Sequence, residues 1–129
     1  MAAPEPQAPP PDEFRIYDDK AIHGWLEKKG KGYFASSSWK RLYVIVENQK
    51  LCYFTDKAMT THKGVIDFSK IRAKLSVDDE QQFKISVQIK GGKIKEFTFK
   101  TISKGSLATW ITLINMQMSN AEVQAASEI

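Results

Sequence analysis

The sequence contains a single cysteine, two histidines and no apolar run long enough to cross a bilayer. Because Cys52 is alone, no disulfide can form within the chain, which favours a reducing compartment. The N-terminus also lacks the apolar stretch of a signal peptide. We therefore expect a cytoplasmic protein whose contact with membranes, if any, is peripheral.

Groups of residues that would support catalysis are absent as well. His23 and His62 are isolated, and no cluster of acidic residues has the spacing of a metal site. Gly30 and Gly32 are not followed by the strand-to-helix turn that a phosphate-binding fingerprint needs. We expect no enzyme activity, no metal and no cofactor.

The charge is distributed unevenly along the chain. The net charge is +4, but residues 1–20 contain five acidic and two basic residues and so carry −3. The remainder therefore carries +7. Such a basic domain favours an anionic partner, namely nucleic acid, anionic lipid or an acidic protein, although the same charge also serves solubility.

Composition divides the 129 residues into one domain and two flanking segments. Residues 1–20 form an acidic tail rich in proline and alanine, which predicts disorder. Residues 21–118 have the periodic apolar pattern of a folded domain. Residues 119–129 have little to bury and are expected either to extend the last helix or to form a tail.

Short alternating runs separated by glycine, asparagine and aspartate predict antiparallel strands from residue 22 onwards. The turns NQ at 48–49 and KGGK at 90–93 each predict a hairpin. In order, the expected strands are IHGWLEKK, WKRLYVIVE, KLCYFTD, KGVIDFSKI, QFKISVQI and IKEFTFKT, with AKLSV at 73–77 as a further short strand.

The period changes after residue 106, where apolar residues recur at helical spacing. Ser103 or Ser106 is expected to cap the start of this helix. A bent sheet leaves an open end that one such helix can close, with Trp110 as the main buried side chain. The apolar face of the helix comprises Leu107, Trp110, Ile111, Ile114 and Met118.

In order and spacing, these segments resemble a pleckstrin homology (PH) domain over about residues 22–118. The resemblance rests on Gly-Trp-Leu at 24–26, on the basic residues that follow Trp39 and on Trp110 in the helix. It implies a mainly β fold, a bent antiparallel barrel or sandwich of about seven strands capped by one C-terminal α-helix. Because this fold hosts several functions, the function has to be argued from the site.

Family members that bind phosphoinositides do so at the open end, beside the first, second and fourth strands. The resemblance assigns this role to Lys28, Tyr53 and Lys63, and Lys40 lies near the same mouth. Strong binders have an inward arginine in the second strand, where this chain has Leu42. Because leucine cannot donate to phosphate, we expect an affinity that is lower by roughly ten- to a hundredfold.

Spectrin-like members of the family also have an apolar residue at that position. They bind headgroups more weakly, on the outer side of the first loop. By this resemblance the site consists of Ser38 and Trp39 together with Lys29 or Lys31. The acidic residues 78–80 would repel phosphate if they lay close to it.

The first loop also contains two adjacent aromatic residues. Tyr33 and Phe34 are expected either to insert at the lipid interface or to fold back over the rim of the barrel. Each neighbouring lysine adds ~1 kcal/mol at an anionic surface, so four of them support a dissociation constant on the order of 1 mM. Stable residence on a membrane then requires a second signal.

The leading hypothesis is a non-enzymatic, monomeric membrane-targeting module that binds anionic phospholipids, especially phosphoinositides, weakly through this loop. The alternative is a protein-interaction domain with little or no lipid binding, because a groove between a sheet edge and the helix suits a partner strand or helix. Nucleic acid binding is not expected, since most strand aromatics should be buried rather than free to stack on bases.

Overall fold

A computed structural model of the chain describes residues 13–30, 38–58 and 62–127. Within these ranges the side chains of residues 62, 63 and 121–127 are not described. Most of the predicted acidic tail and most of the first loop, residues 31–37, therefore lie outside the described residues.

The described residues form eight antiparallel strands followed by one long helix. This architecture confirms the predicted mainly β fold with a single C-terminal helix, and it adds one strand before the first predicted one. The elements are β1 (Phe14–Tyr17), β2 (Ala21–Lys29), β3 (Trp39–Glu47), β4 (Lys50–Phe54), β5 (His62–Asp67), β6 (Ala73–Val77), β7 (Gln82–Gln88), β8 (Ile94–Thr101), a 3₁₀ turn (Lys104–Ser106) and α1 (Leu107–Ser127).

The eight strands belong to one sheet, in which seven follow the order β5-β4-β3-β2-β8-β7-β6 and β1 pairs with β2 outside that order. Strand β2 pairs with β3 along its whole length, but it pairs with β8 only through residues 26–28. The first half of β2 is left for β1, which pairs with it from Phe14 opposite Gly24 to Tyr17 opposite Ala21. Strand β2 therefore joins the two halves of the sheet and also holds the additional strand.

The predicted disordered tail is too long at its C-terminal end, because residues 14–17 form β1. The Phe14 ring packs edge-to-face against Trp110, with 6.4 Å between the ring centres. The amide of Trp25 donates a hydrogen bond of 2.8 Å to the carbonyl of Glu13. A four-residue strand has almost no pattern of its own, so only these contacts with β2 and α1 define it.

The core lies between the concave face of the sheet and α1, as the alternation in the strands predicts. Its largest fully buried side chain is Trp110, which confirms that residue as the main plug of the open end. The helix buries Leu113 and Gln117 in addition to the predicted Ile114, whereas Leu107, Ile111 and Met118 are only partly buried. Its backbone continues to Ser127.

Of the two serines predicted to cap the helix, Ser103 does not cap the turn that leads into it. Ser103 precedes the 3₁₀ turn, but its side chain makes no capping hydrogen bond. Instead, Ser103 N–H and Oγ donate to the buried carboxylate of Glu13 at 3.2 Å, and Ser106 Oγ donates to the same carboxylate. An acid from the predicted tail therefore satisfies an amide and two hydroxyls beside the helix start, a favourable place for negative charge.

Near its middle the helix is joined to two strand turns through Gln117. Gln117 Oε1 accepts a 2.8 Å hydrogen bond from the amide of Gln49, in the β3–β4 turn. Gln117 Nε2 donates a 2.6 Å bond to the carbonyl of Lys20, in the β1–β2 turn. One buried amide side chain thus fixes both turns against the helix.

We expect Gln117→Leu to lower the free energy of unfolding by about 1–3 kcal/mol, because a backbone N–H and a carbonyl would lose their partner while remaining partly buried. Chemical denaturation followed by circular dichroism measures this change. Asn115→Leu, at an exposed position of the same helix, is the matched control and should change little. Equal losses in both variants would show that the bridge contributes nothing.

Candidate functional site

Three connections between strands meet at one end of the sheet, here called the loop end. Strand β2 finishes there at Lys29 opposite Trp39, where β3 begins, and β4 finishes there at Phe54. Strand β8 runs antiparallel to β2, so its first residue, Ile94, also lies at this end. The loop end therefore combines the β2–β3, β4–β5 and β7–β8 connections.

On the core-facing side of the loop end, two lysines share one aromatic ring. Lys28 Nζ lies 5.6 Å from the centre of the Phe97 ring, and Lys95 Nζ lies 5.1 Å from the same centre. Lys28 Nζ is also 5.6 Å from the centre of the Tyr53 ring. Lys40 is directly opposite Lys28 in the β2–β3 register. We call Lys28, Lys40, Tyr53 and Lys95 the inner group.

The tyrosine of the inner group depends on a glycine in the next strand. Tyr53 lies opposite Gly64, and a Cβ at that position would collide with the Tyr53 hydroxyl and the ring carbon that carries it. Burial raises the pKa of Tyr53 above its ordinary value, so the phenol stays protonated at neutral pH. It can therefore donate a hydrogen bond to an anion.

The opposite side of the same strands carries a second set of charges. Lys100 Nζ lies 4.5 Å from the centre of the Trp39 ring and 3.3 Å from the Glu27 carboxylate. Arg41 Nη2 is 4.0 Å from the same carboxylate. Strand alternation places Lys29, opposite Trp39, on this side as well. We call Glu27, Lys29, Trp39, Arg41 and Lys100 the outer group.

The structure thus divides the predicted headgroup-binding residues between two faces. Lys28, Lys40 and Tyr53 belong to the inner group, whereas Lys29 and Trp39 belong to the outer group. Ser38 lies next to Trp39, and its carbonyl accepts a 2.9 Å hydrogen bond from the amide of Gly30. The remaining predictions lie outside what is described: the loop residues Lys31, Tyr33 and Phe34, and the side chain of Lys63.

Two lysines of these groups were not assigned to a site from sequence. Lys95 follows the KGGK turn, for which the sequence predicted only a hairpin, and its ammonium lies over the same ring as that of Lys28. Strand alternation indicates this position of Lys95, because Lys95 lies on the same side of β8 as Phe97 and Phe99, which are both buried. Lys100 could be assigned to the outer group only once the pairing of β8 with β2 was known, and the sequence did not predict that pairing.

The acidic residues 78–80 lie at the other end of β7 from the turn that precedes Lys95. Seven strand residues separate the two ends, a distance of roughly 20 Å. There Asp79 Oδ1 accepts 2.8 Å bonds from the amides of Gln81 and Gln82, and Glu80 forms a 3.4 Å ion pair with Lys104. Because Gln82 is opposite Lys100, this negative charge lies closer to the outer group.

Three further properties bear on what the protein can bind. Leu42 is buried in the core, as predicted, so it leaves no donor at that position of β3. In the part of the chain that the structure describes, no three histidine, cysteine or acidic side chains gather as metal ligands do. Among the described residues, no helix is both long enough and apolar enough to span a bilayer.

Comparison with known sequences identifies the family. The profile of the PH domain family matches residues 20–119. Among curated proteins, mouse interactor protein for cytohesin exchange factors 1 is 24% identical over 100 residues, which are 77% of this chain and 24% of that protein. BEM1-interacting protein 2 of Saccharomyces cerevisiae is 32% identical over 63 residues, 49% of this chain and 6% of that protein. The chain thus spans a quarter or less of these relatives.

Solved structures show the same fold at low sequence identity. The N-terminal PH domain of human ARAP2 has a TM-score of 0.63 at 17% identity, covering 82% of this chain and 85% of that one. The PH domain of human TBC1 domain family member 2 has a TM-score of 0.60 at 20% identity, covering 82% and 87%. The resemblance inferred from sequence is confirmed, and the chain belongs to the PH domain family.

Proposed function

We propose that this PH domain is a non-enzymatic adaptor module that binds the phosphorylated headgroups of anionic phospholipids, including phosphoinositides, through its inner group. The observation that carries the proposal is the shared ring: Lys28 and Lys95 both place an ammonium over Phe97, beside the protonated Tyr53 hydroxyl. Phosphate oxygens accept from both kinds of donor. Members of the family serve membrane or protein interaction, and lipid is the partner that this chemistry favours.

The arrangement of charges favours the inner group over the outer group as the binding site for an anionic headgroup. Lys40 and Lys95 form no ion pair with a described carboxylate, whereas Lys100 and Arg41 are both drawn to Glu27. An anion approaching the outer group must compete with Glu27 and also meets the acidic residues 78–80. The outer group therefore offers less net attraction, although it contains Lys29 and Trp39, which the spectrin-like resemblance implied.

The expected affinity is low. Each lysine near an anionic surface contributes ~1 kcal/mol, so Lys28, Lys40 and Lys95 together give ~3 kcal/mol. That free energy alone does not hold a protein on a membrane, since one weak signal gives only reversible binding. We propose that other contacts, such as a second membrane module or a protein partner, complete the attachment.

A charge reversal on each face tests which group binds. We expect Lys28→Glu/Lys95→Glu to weaken binding to vesicles containing phosphoinositides at least tenfold, because two attractive charges become repulsive. Lys29→Glu/Arg41→Glu changes the net charge by the same amount on the other face, and it should weaken binding only about two- to threefold through general electrostatics. Vesicle co-sedimentation measures both, with circular dichroism as the check on folding.

Three other outcomes of this experiment would contradict the proposal. If the outer variant loses more binding than the inner variant, the spectrin-like site is the correct one. Equal losses in the two variants would show that vesicle binding depends on the total charge of the protein and not on a defined site. A wild-type protein that binds no vesicle, whether neutral, phosphatidylserine-containing or phosphoinositide-containing, would overturn the lipid proposal.

The second candidate function is protein interaction, and one observation favours it. A groove of about 320 Å³ runs between β1 and α1, lined by apolar side chains including Ile16, Leu113 and Met116. Among the described strands β1 pairs only with β2, so one edge of β1 remains along this groove. Such an edge beside a helix suits an added strand. The names of the curated relatives describe interactor proteins, in keeping with this candidate.

A further inference from the structure

Two large apolar side chains are exposed on either side of the β7–β8 turn. Ile94 is 60% exposed and Ile89 is 38% exposed, although isoleucine is among the residues most often buried. Single exposed apolar residues need no explanation. Here, however, the two flank one turn at the loop end, the same end as the inner group.

The turn presents these side chains on opposite faces of a closed hairpin. Ile89 follows Val87 on the core-facing side of β7, whereas Ile94 is on the other side of β8 from Phe97. The amide of Ile89 donates a 2.8 Å bond to the carbonyl of Lys93, and the amide of Gly92 donates a 3.2 Å bond back to the carbonyl of Ile89. These bonds close the turn from Ile89 to Lys93, and Ile94 pairs with Gln88 at the end of the β7–β8 ladder.

The two residues at the tip of the turn are glycines, and the space around them is open. Gly91 and Gly92 have φ values of +88° and +78°, and a Cβ added at either would meet nothing within 4 Å. A narrow backbone tip flanked by two branched apolar side chains has the form of a wedge. Between the two isoleucines the only residues with polar side chains are Lys90 and Lys93.

The charge around the wedge has one sign. Lys90, Lys93 and Lys95 lie within the turn or beside it, and residues 87–95 include no acid. The next acidic residue, Glu96, is engaged by Lys84 at 2.9 Å. A ring of ammonium groups around an apolar tip complements the headgroup layer of an anionic bilayer, where lysines remain at the phosphates while apolar side chains enter.

The wedge and the inner group are physically continuous. Lys95 belongs to both, and it shares the Phe97 ring with Lys28. A bilayer whose headgroup occupied the inner group would therefore lie directly against the β7–β8 turn. The sequence pattern had drawn attention to Tyr33 and Phe34 of the β2–β3 loop for this role, but it gave no reason to assign it to the isoleucines.

We infer that the β7–β8 turn is a membrane-inserting wedge, in which Ile89 and Ile94 enter the interfacial region of an anionic bilayer while Lys90 and Lys93 contact lipid phosphates. This inference rests on the proposed function, because the headgroup bound by the inner group sets the orientation. The occupant is a bilayer rather than a protein, since three lysines without an acid match an anionic surface of any composition.

The first test compares two pairs of exposed apolar residues. Ile89→Ser/Ile94→Ser removes the wedge, and Val65→Ser/Val77→Ser removes side chains of similar exposure, 47% and 54%, on β5 and β6. We expect the first pair to weaken binding to phosphatidylcholine vesicles containing phosphatidylserine and phosphoinositides about tenfold, and the second pair less than about twofold. Thermal unfolding of each variant verifies that both remain folded.

A soluble probe separates this inference from the proposed function. Inositol hexakisphosphate offers phosphates without a bilayer, and amide chemical shifts in the full chain report where it binds. We expect the Ile89→Ser/Ile94→Ser variant to bind it as the wild type does. If the variant and the wild type bind vesicles equally, the wedge is refuted while headgroup binding stands. If the wild type binds neither probe, the proposed function fails and the wedge fails with it.

Insertion itself is measured with a label at the tip. Ile94→Cys in a Cys52→Ala background accepts an environment-sensitive fluorophore, and Val77→Cys in the same background is the control. We expect the label at position 94 to shift its emission to the blue on binding anionic vesicles and to be quenched by brominated lipids. Vesicle binding without either change would mean that the turn stays in water, which overturns the inference.

Discussion

Replacing Trp110 with alanine is expected to lower the free energy of unfolding by about 3–5 kcal/mol, a large share of the stability of a domain of this size. The indole is fully buried where α1 closes the sheet, and it packs edge-to-face against Phe14 of β1. Truncation would leave a cavity between the helix and both halves of the sheet. Guanidinium denaturation followed by far-ultraviolet circular dichroism measures the loss.

Two further variants show whether this loss comes from packing. Trp110 Nε1 has no hydrogen-bond partner among the described residues, so Trp110→Phe removes volume without breaking a bond and should cost clearly less than alanine. Thr112→Ala changes an exposed position of the same helix and should be nearly neutral. If Trp110→Ala proved as mild as Thr112→Ala, the helix could not be the element that closes the core.

Replacing Gly24 with alanine is expected to be the second most damaging change, at about 3 kcal/mol. An added Cβ would lie 2.5 Å from Phe14 Cβ and 2.7 Å from Phe14 Cα, and it would also collide with the carbonyl oxygen of Glu13. Because two of these contacts are with backbone, β1 would have to move away from β2. The Phe14–Trp110 contact and the bonds from Ser103 and Ser106 to Glu13 would then weaken together.

Amide hydrogen exchange distinguishes release of β1 from general destabilisation. In the Gly24→Ala variant we expect the amide of Trp25, which donates to Glu13, to lose its protection, while the centre of β3 remains protected. Gly105→Ala is the matched control, because a Cβ there meets nothing within 4 Å. Uniform loss of protection across all strands would contradict the view that β1 is a separable addition.

The fold was largely predictable because most of its elements carry their own periodicity. The continuous apolar run of β3, the apolar alternation of β7 and the helical spacing around Trp110 each follow from one segment alone. Strand β1 was not predictable in this way. Phe14–Tyr17 is short and follows a proline-rich stretch. It forms a strand because Phe14 pairs with Gly24, which has no side chain, and because its ring packs against Trp110. Neither partner is adjacent to it in sequence.

The candidate site was predictable only in part, for a related reason. The family resemblance assigned Lys28 and Tyr53, with Lys40 near them, to the open end, and it assigned Lys29 and Trp39 to the outer side of the first loop; strand alternation separates the two sets in the same way. Lys95 joins Lys28 only because β8 pairs with β2, and nothing local to the KGGK turn indicates that pairing. The exposure of Ile89 and Ile94 likewise depends on where the turn lies relative to the rest of the sheet.

The position of Glu13 has a consequence for where a working fragment of this domain can begin. The family match starts at residue 20, seven residues after this acid. A fragment trimmed to that boundary would lack the ring that covers Trp110, and the hydroxyls of Ser103 and Ser106 would lose their common acceptor. Gly24, freed of its neighbour, would present an open strand edge to other molecules. A fragment intended for binding measurements should therefore start before Glu13.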